Sequence, residues 1–356
     1  MSPKQNLAAA VIAALAAISM TARADTATEE KTTVGGKAFL DLTNIQQDSD
    51  GVDQAANGTG IDVKRFYLSI GHTFDDTWSA NVTSDFNYVS NDSVTQIYVK
   101  KAYLQAKLSD AFVARLGSAD LPWVPFVEDL YGYRYVENVL VDRLKFGTSA
   151  DWGLHAGGKF SDGMVSYAVS VVNGNGYKNP TRSKSVDVEG RLSFVPIKGL
   201  TLAAGFYSGK LGKDIQGTAT PTQHTASRVT ALVAYVQPKF RVAGEYFTAT
   251  DWNQVTTAAS DKSDGYSVWG SFNFTDKVAG FARYDGAKPS KDLAPNRKDQ
   301  YYNVGVAYKP RKNVDIAFVY KHDKVDNGTI STSNGTIGGV VDGKYDEVGL
   351  WAQVAF

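Results

Sequence analysis

The amino-acid sequence predicts a transmembrane antiparallel β-barrel of about 16 strands, and three observations lead to this prediction. The last segment alternates between apolar residues such as Val348 and Leu350 and polar residues such as Glu347 and Gln353. Successive side chains of a strand point to opposite faces, so the segment has one apolar and one polar face. Similar segments recur along the chain, and the junctions between them are alternately short and long. A barrel that is apolar toward lipid and polar inside, with short periplasmic turns and long extracellular loops, has these features.

The amino terminus has the layout of a secretory signal. Lys4 supplies a positive charge, Leu7 to Ile18 is an apolar segment rich in alanine, and Ala22-Arg23-Ala24 is a small-x-small cleavage site. A membrane-spanning anchor helix needs about 20 apolar residues, and this segment is shorter. The sequence therefore predicts a signal peptide over residues 1–24 and an exported barrel domain over residues 25–356.

The composition favours an all-β chain and excludes several other classes. The chain is 43% hydrophobic and 12% aromatic, contains 33 glycines and has a mean hydropathy of -0.25. It has no second apolar run that could span a bilayer as a helix. It also has no cysteine, so disulfide bonds and thiolate metal sites are impossible. Removing Lys4 and Arg23 with the signal leaves 35 basic against 37 acidic residues, a net charge of -2 that gives nucleic-acid binding no electrostatic support.

Alternating segments of roughly 9 to 11 residues, the length that crosses a bilayer as a tilted strand, recur throughout the barrel domain. Each has one apolar face and one polar face. In chain order the predicted strands are Thr33 to Ile45, Gly60 to Phe74, Trp78 to Val89, Gln96 to Leu108, Ala111 to Leu121, Phe146 to Phe160, Met164 to Asn173, Val186 to Val195, Leu200 to Lys210, Ser227 to Val236, Phe240 to Thr250, Gly265 to Thr275, Lys277 to Gly286, Gln300 to Lys309, Asn313 to His322 and Lys344 to Phe356.

The connections between these strands alternate in length. Every second junction is short and turn-like, and the others are long and polar except for the short Ser90 to Thr95. The short junctions are Asp75 to Thr77, Ser109 to Asp110, Ser161 to Gly163, Pro196 to Gly199, Gln237 to Lys239, Asp276 and Pro310 to Lys312; the long ones are Gln46 to Thr59, Pro122 to Lys145, Gly174 to Ser185, Leu211 to Ala226, Asp251 to Asp264, Ala287 to Asp299 and Asp323 to Gly343. A β-sandwich does not require this alternation, and a solenoid would show a fixed sequence period that is absent here. We therefore predict one barrel with its short turns in the periplasm.

The polar face of the predicted strands carries many charged residues. Burying them in a dry core would be costly, because each unpaired ion loses its hydration. A barrel of roughly 16 to 18 strands is wide enough to hold an aqueous channel, so we predict a water-filled pore. The strand arginines predicted to line it, each of which could equally be a hydrated charge without a special role, are Arg65, Arg115, Arg191, Arg228, Arg241 and Arg283.

The connection Pro122 to Lys145 differs from the others in its aromatic content. It contains one tryptophan, one phenylalanine and three tyrosines. We expect so aromatic a loop to fold into the barrel and narrow it, so that its charged side chains filter ions. The alternative is packing over the rim or against a neighbouring subunit. The loop residues predicted to set selectivity are Glu128, Asp129, Arg134, Glu137, Asp142 and Arg143.

The middle third of the chain contains a run of short motifs. They are Lys101-Ala102-Tyr103, Arg115-Leu116-Gly117, Leu121-Pro122 with the acidic and aromatic loop, Asp151-Trp152-Gly153, Val172 to Gly176 and Asp187 to Arg191. Together they resemble the phosphate-selective porin O and P family, and the terminal Phe356 resembles the last residue of bacterial outer-membrane proteins. The resemblance implies a homotrimeric pore of 16 strands in which arginines and lysines pass anions, with Arg115, Arg134, Arg143 and Arg191 as candidates for that role.

These features predict a passive porin in the bacterial outer membrane, through which small hydrophilic solutes and inorganic ions diffuse. Acidic residues are as dense as basic ones in the loop, so a general porin with a weak anion preference fits as well as a phosphate-selective channel. A non-conducting adhesin or structural barrel is the alternative from another class. No metal or other cofactor is expected, because His72, His155, His224 and His322 lie on separate segments without metal-ligand spacing. No enzyme activity is expected either, because a hydrolase needs a serine, a histidine and an acid or amide on one face, and Ser69, His155 and Asp85 could meet only by chance.

Overall fold

The computed structural model describes the backbone of residues 29–89 and 94–356, together with their side chains except for those of residues 87–89, 94 and 95. The predicted signal peptide and most of the junction Ser90 to Thr95 lie outside the described residues. No helix in the described part of the chain is long and apolar enough to span a membrane.

Sixteen antiparallel strands form a closed barrel, which confirms the predicted fold class. Each strand pairs with the next, and the last pairs with the first from Lys37 opposite Ala355 to Ser49 opposite Gly343. In chain order the strands are β1 Lys31–Ser49, β2 Gly58–Thr73, β3 Trp78–Val89, β4 Val94–Ser109, β5 Phe112–Asp120, β6 Ala150–Phe160, β7 Val165–Val172, β8 Asp187–Ile197, β9 Leu200–Gly209, β10 Ala226–Val236, β11 Phe240–Thr250, β12 Lys262–Asn273, β13 Val278–Lys288, β14 Lys298–Arg311, β15 Val314–Thr332 and β16 Gly335–Ala355. A two-residue strand, Val52–Asp53, lies in the β1–β2 connection.

The alternation of side chains gives the barrel an apolar outside and a polar inside. In β14, Tyr302, Val304 and Val306 are exposed on the outer face, whereas Tyr301 and Asn303 are buried inside. The exposed outer positions of the other strands are likewise mostly apolar. Because an outer face of this kind is stable only in contact with lipid, the barrel is of the outer-membrane type.

The prediction of a long loop over Asp323 to Gly343 is wrong. Strands β15 and β16 continue through it and leave only the turn between Thr332 and Gly335. Val325, Ile330 and Ile337 are buried there, so the apolar alternation extends beyond the part of the barrel that faces lipid. The predicted start of the sixth strand at Phe146 is also too early: β6 begins at Ala150, and Phe146 belongs to the core of the preceding loop.

Two β-bulges interrupt the alternation on neighbouring parts of the wall. Phe39 and Leu40 of β1 pair with Arg65 and Val63 of β2, so Lys64 is the extra residue. In the same way, the pairing of β3 with β4 leaves Lys100 as an extra residue between Val99 and Lys101. A bulge changes the face on which the following side chains point. Two consecutive basic residues are therefore turned toward the lumen at each bulge.

Candidate pore and its constriction loop

The connection between β5 and β6, residues 121–149, folds into the barrel, as predicted from its aromatic content; we call it the constriction loop. It contains two helices, α1 Val124–Tyr131 and α2 Leu140–Arg143. Its apolar side chains, including Trp123 and Phe146, are buried against inward-facing residues of the wall such as Phe247 and Trp269. The loop therefore covers the inner surface of one side of the barrel, mainly β8 to β15.

Four wall arginines hold the backbone of the constriction loop. Each donates a hydrogen bond from its guanidinium group to a loop carbonyl oxygen, which satisfies a backbone acceptor of the buried loop. The four pairs are Arg191 with Pro122 (2.9 Å), Arg241 with Leu130 (3.2 Å), Arg283 with Asn138 (2.6 Å) and Arg228 with Phe146. The accepting carbonyls are spaced along the whole loop, so the loop is held at both ends and in the middle.

Arg143 belongs to the constriction loop and contacts acidic side chains of the wall. Its guanidinium group forms ion pairs with Asp285 at 2.9 Å, with Asp323 at 2.8 Å and with Asp299. It also lies 4.5 Å from the centre of the Tyr301 ring. Burial alone would lower the pKa of Arg143, but the three carboxylates raise it well above its ordinary value. Arg143 is thus a fully buried, permanently charged clamp.

The tip of the extracellular β15–β16 hairpin fixes another part of the loop. The Glu137 carboxylate accepts hydrogen bonds from the Ser333 hydroxyl at 2.6 Å and from the Asn334 side-chain amide at 2.9 Å, and it lies 3.5 Å from the Lys321 ammonium group. Burial alone would raise the pKa of Glu137, but Lys321 and these donors lower it overall. The Ser333 backbone N–H also donates to the Arg143 carbonyl oxygen.

These contacts correct the predicted role of several arginines. Arg143, Arg228 and Arg283 are 0%, 2% and 3% exposed and lie between loop and wall, rather than facing the water-filled lumen. Arg191 and Arg241 lie half-buried at the edge of the same interface. The alternation of the strands correctly predicted that the wall arginines point inward. The constriction loop, however, covers that part of the inner wall. Glu137 is likewise buried, although it borders a small cavity.

Arg115 lies away from the loop. It projects from β5 near the short turns, donates a hydrogen bond to Gln105 at 2.8 Å and lies 5.3 Å from the Tyr103 ring centre. It lines none of the three cavities described next.

The open part of the lumen lies between the constriction loop and the wall formed by β1 to β6. A cavity of about 580 Å³ opens on the periplasmic side, where its lining includes Lys37, Asp120, Glu128 and Asp129. A second cavity of about 420 Å³ lies on the extracellular side, bordered by residues of the later loops. A third, of about 210 Å³, lies beside them near Glu137.

Lys100, Arg134 and Ser149 line both the periplasmic and the extracellular cavity; we call this region the junction. Arg134 lines all three cavities and pairs with Glu128 and, at 3.9 Å, with Asp142. Arg65 lines the second and third cavities and pairs with Asp85 at 3.0 Å. The structure therefore brings Arg65, Glu128, Arg134 and Asp142 together, with Asp129 nearby in the first cavity.

The sequence analysis missed two features of this region: the inward-facing pair Lys64 and Lys100, and the β7–β8 connection. Lys64 and Lys100 were assigned to neither face, because strict alternation would point them toward lipid; the two bulges turn them inward. The second feature is the β7–β8 connection, which also bends into the lumen: the Tyr177 hydroxyl donates to Asp85 at 2.9 Å and Lys178 lines the second cavity. The adjacent basic pairs Lys64-Arg65 and Lys100-Lys101 were the available indication of the bulges.

No metal site is evident in the described part of the chain, where no three His, Asp or Glu side chains are grouped so that they could hold an ion.

Comparison with solved structures shows that this barrel has the fold of outer-membrane porins. It is similar to the anion-selective porin from Comamonas acidovorans, with a TM-score of 0.68 and 12% identity over 92% of this chain and 100% of that one. It is also similar to the outer-membrane channel DcaP of Acinetobacter baumannii, with a TM-score of 0.65 and 13% identity over 94% of this chain and 100% of that one. A third similar structure is Salmonella typhi OmpF in complex with daunomycin, with a TM-score of 0.58 and 14% identity over 92% of this chain and 98% of that one. No protein-family model and no curated protein sequence matches the chain.

At these identities the likeness establishes the fold alone. The chain has the fold of an outer-membrane porin, which bears out the coarser part of the resemblance found in the sequence. Membership of the phosphate-selective porin O and P family stays a prediction.

Proposed function

We propose that the chain forms a passive outer-membrane pore for small hydrophilic solutes and inorganic ions, with a weak preference for anions and no enzyme activity. One observation carries the proposal. The constriction loop leaves a cavity on its periplasmic side and another on its extracellular side, and both are lined by the junction residues Lys100, Arg134 and Ser149. A solute that crosses the barrel passes this point.

The charges around the junction support the anion preference. Every charged residue that lines more than one of the three cavities is basic, namely Arg65, Lys100, Arg134 and Lys145. Each acidic lining residue borders only one of them. Positive charge in a concave site raises the local concentration of anions. Carboxylates pair with Arg65 and Arg134, so we expect the preference to be weak.

The test is single-channel recording of the chain without residues 1–24 in a planar bilayer under a KCl gradient, before and after phosphate is added. We expect ohmic currents and a reversal potential that favours chloride. Arg134→Gln should reduce that preference, whereas Arg182→Gln, on an exposed residue outside the three cavities, should not. Strong block by dilute phosphate would replace the general pore with a phosphate channel. A folded barrel without current would refute both and favour the adhesin.

We further propose that the chain assembles as a homotrimer. The outer faces of β11 to β14 carry exposed tyrosines, Tyr246, Tyr266, Tyr284, Tyr302 and Tyr308, of the kind that line a lipid interface. On β1, β4, β5 and β16, by contrast, the large exposed apolar side chains among the described residues are all aliphatic. These four strands lie on one continuous side of the barrel, together with β2 and β3. That side is therefore suited to contact other copies of the chain.

Native mass spectrometry of the detergent-solubilised protein tests this assembly. We expect a mass of three chains. Leu116→Trp, on β5, should weaken the assembly because a bulky ring disrupts a packed contact, whereas Val304→Trp, on the tyrosine-bearing β14, should be tolerated in lipid. A wild-type monomer would refute the proposal.

A further inference from the structure

Lys100 lies inside the barrel, where the periplasmic and the extracellular cavity share lining residues. It projects from the bulge in β4, is 8% exposed and lines both the periplasmic and the extracellular cavity. Its ammonium group is therefore largely removed from bulk water, yet it borders the path between the two cavities.

Three basic residues beside Lys100 each have a carboxylate partner. Arg65 pairs with Asp85 at 3.0 Å, Lys101 with Asp120 at 2.6 Å, and Arg134 with Glu128. Within the described side chains, Lys100 Nζ has no carboxylate oxygen within 4.0 Å. Its contacts are the Tyr67 hydroxyl at 3.5 Å and the faces of the Tyr67 and Tyr177 rings, whose centres lie 4.6 and 5.7 Å away.

Aromatic rings attract an ammonium group, but they do not neutralise its charge. The hydroxyl contact at 3.5 Å is long for a hydrogen bond and involves at most one of the three ammonium donors. A charge so far removed from water is normally paired, because desolvation without a counter-charge is costly. Lys100 thus lacks a direct carboxylate partner, at a place that borders both cavities.

We propose that Lys100 is the central contact of a binding site for a single compact monovalent anion, such as chloride, at the junction. The site rests on the proposed pore function and refines it. One positive charge without a direct counter-ion matches one negative charge, and Ser149 and Arg134 line the same place. Because only one cation there is unpaired, the anion can leave as readily as conduction requires.

Anomalous diffraction from crystals grown in sodium bromide tests the site directly. We expect a bromide ion within hydrogen-bonding distance of Lys100 Nζ in the wild-type protein, and none there in Lys100→Gln. Lys101→Gln is the matched control, because it removes the adjacent lysine that Asp120 already neutralises. Bromide should remain at Lys100 in this variant. Absence of bromide from the wild-type site, or its persistence in Lys100→Gln, would overturn the proposal.

Reversal potentials under a KCl gradient provide the second measurement. Lys100→Gln should lower the chloride-to-potassium permeability ratio about fivefold, which corresponds to about 1 kcal/mol, the attraction between unit charges about 4 Å apart in water. Lys100→Arg should retain the wild-type ratio, and so should Arg182→Gln, on an exposed residue outside the three cavities. A conducting wild type with an unchanged Lys100→Gln would refute the site and leave the pore intact. A wild type without current would refute the pore, and the bromide experiment would still decide the site.

Discussion

Replacing Arg143 with methionine should release the constriction loop from the wall. Methionine keeps an unbranched side chain of similar length but removes the charge. Asp285 retains a partner, because Arg283 pairs with it at 2.6 Å. Asp299 and Asp323 pair only with Arg143 among the described residues, and both are 0 to 1% exposed. The variant therefore leaves the Asp299 and Asp323 carboxyl groups buried without a cationic partner.

The size of the effect follows from this geometry. Removing one partner from a buried ion pair costs about 3–5 kcal/mol, mainly because the remaining charge stays desolvated. Every 1.4 kcal/mol changes an equilibrium constant about tenfold, so the fraction of open loop should rise by about two to three and a half orders of magnitude. The barrel itself should remain closed, because its strand pairing does not involve Arg143.

Amide hydrogen exchange reports this opening. The N–H groups of Arg143, Leu144 and Phe146 are bonded to carbonyl oxygens within the loop at 2.8, 3.1 and 2.7 Å. Their exchange should accelerate by the same factor in Arg143→Met, while amides of the barrel strands remain protected. The triple variant Arg143→Met/Asp299→Asn/Asp323→Asn removes the orphaned charges and should restore protection to within about tenfold of wild type.

Unchanged exchange at these three amides in a correctly folded Arg143→Met barrel would refute the reasoning. It would mean that the apolar contacts of Trp123, Phe146 and their neighbours hold the loop without the ionic clamp.

Three further predictions concern the pore and its loops. Burial and the nearby Arg65 lower the pKa of Lys178 to about 8, so chloride preference should decline between pH 7 and pH 9 in reversal-potential measurements, but not in Lys178→Met. The pKa of Glu137 is lowered in the folded protein, so its stabilising contribution is complete above the ordinary glutamate pKa of about 4.3, declines as the pH falls from that value, and is gone only below the lowered pKa of the folded state. The difference in loop protection between wild type and Glu137→Gln, measured by amide exchange, should therefore disappear in acid. Replacing Phe126 to Val139 with a short glycine-serine linker should raise single-channel conductance, because it removes Arg134 and most of α1 from the lumen; unchanged conductance would contradict the position of the loop.

The strands and the inserted loop were predictable because both depend on local composition. Alternation fixes the faces of a strand without reference to the rest of the fold, and all 16 predicted strands are present. The aromatic content of residues 122–145 indicated burial before any partner was known. The β15–β16 hairpin was cut short because Val325, Ile330 and Ile337 are separated by glycines and polar residues that are typical of loops.

The role of the arginines was not predictable in the same way. The alternation of the strands predicts that Arg228 and Arg283 point inward. It does not distinguish an inward residue that faces the open lumen from one that contacts the constriction loop. The loop contacts these residues across sequence separations of 82 and 145 residues, and nothing in either segment specifies the partner. The distinction between a lumen charge and a loop anchor depends on which part of the wall the loop covers, which is a property of the closed barrel.

The bulge lysines show where a stricter physical argument from the sequence would have succeeded. In a regular strand, Lys100 and Lys101 point to opposite faces, so one of them would lie against lipid. A lysine on the lipid face of a barrel costs about 2–4 kcal/mol at mid-bilayer, and the same argument applies to Lys64 beside Arg65. A bulge that turns both residues inward removes that cost by giving up one position of regular pairing. Adjacent charges inside an otherwise alternating strand therefore predict a bulge, and in this chain both bulges lie on the wall that faces the open lumen.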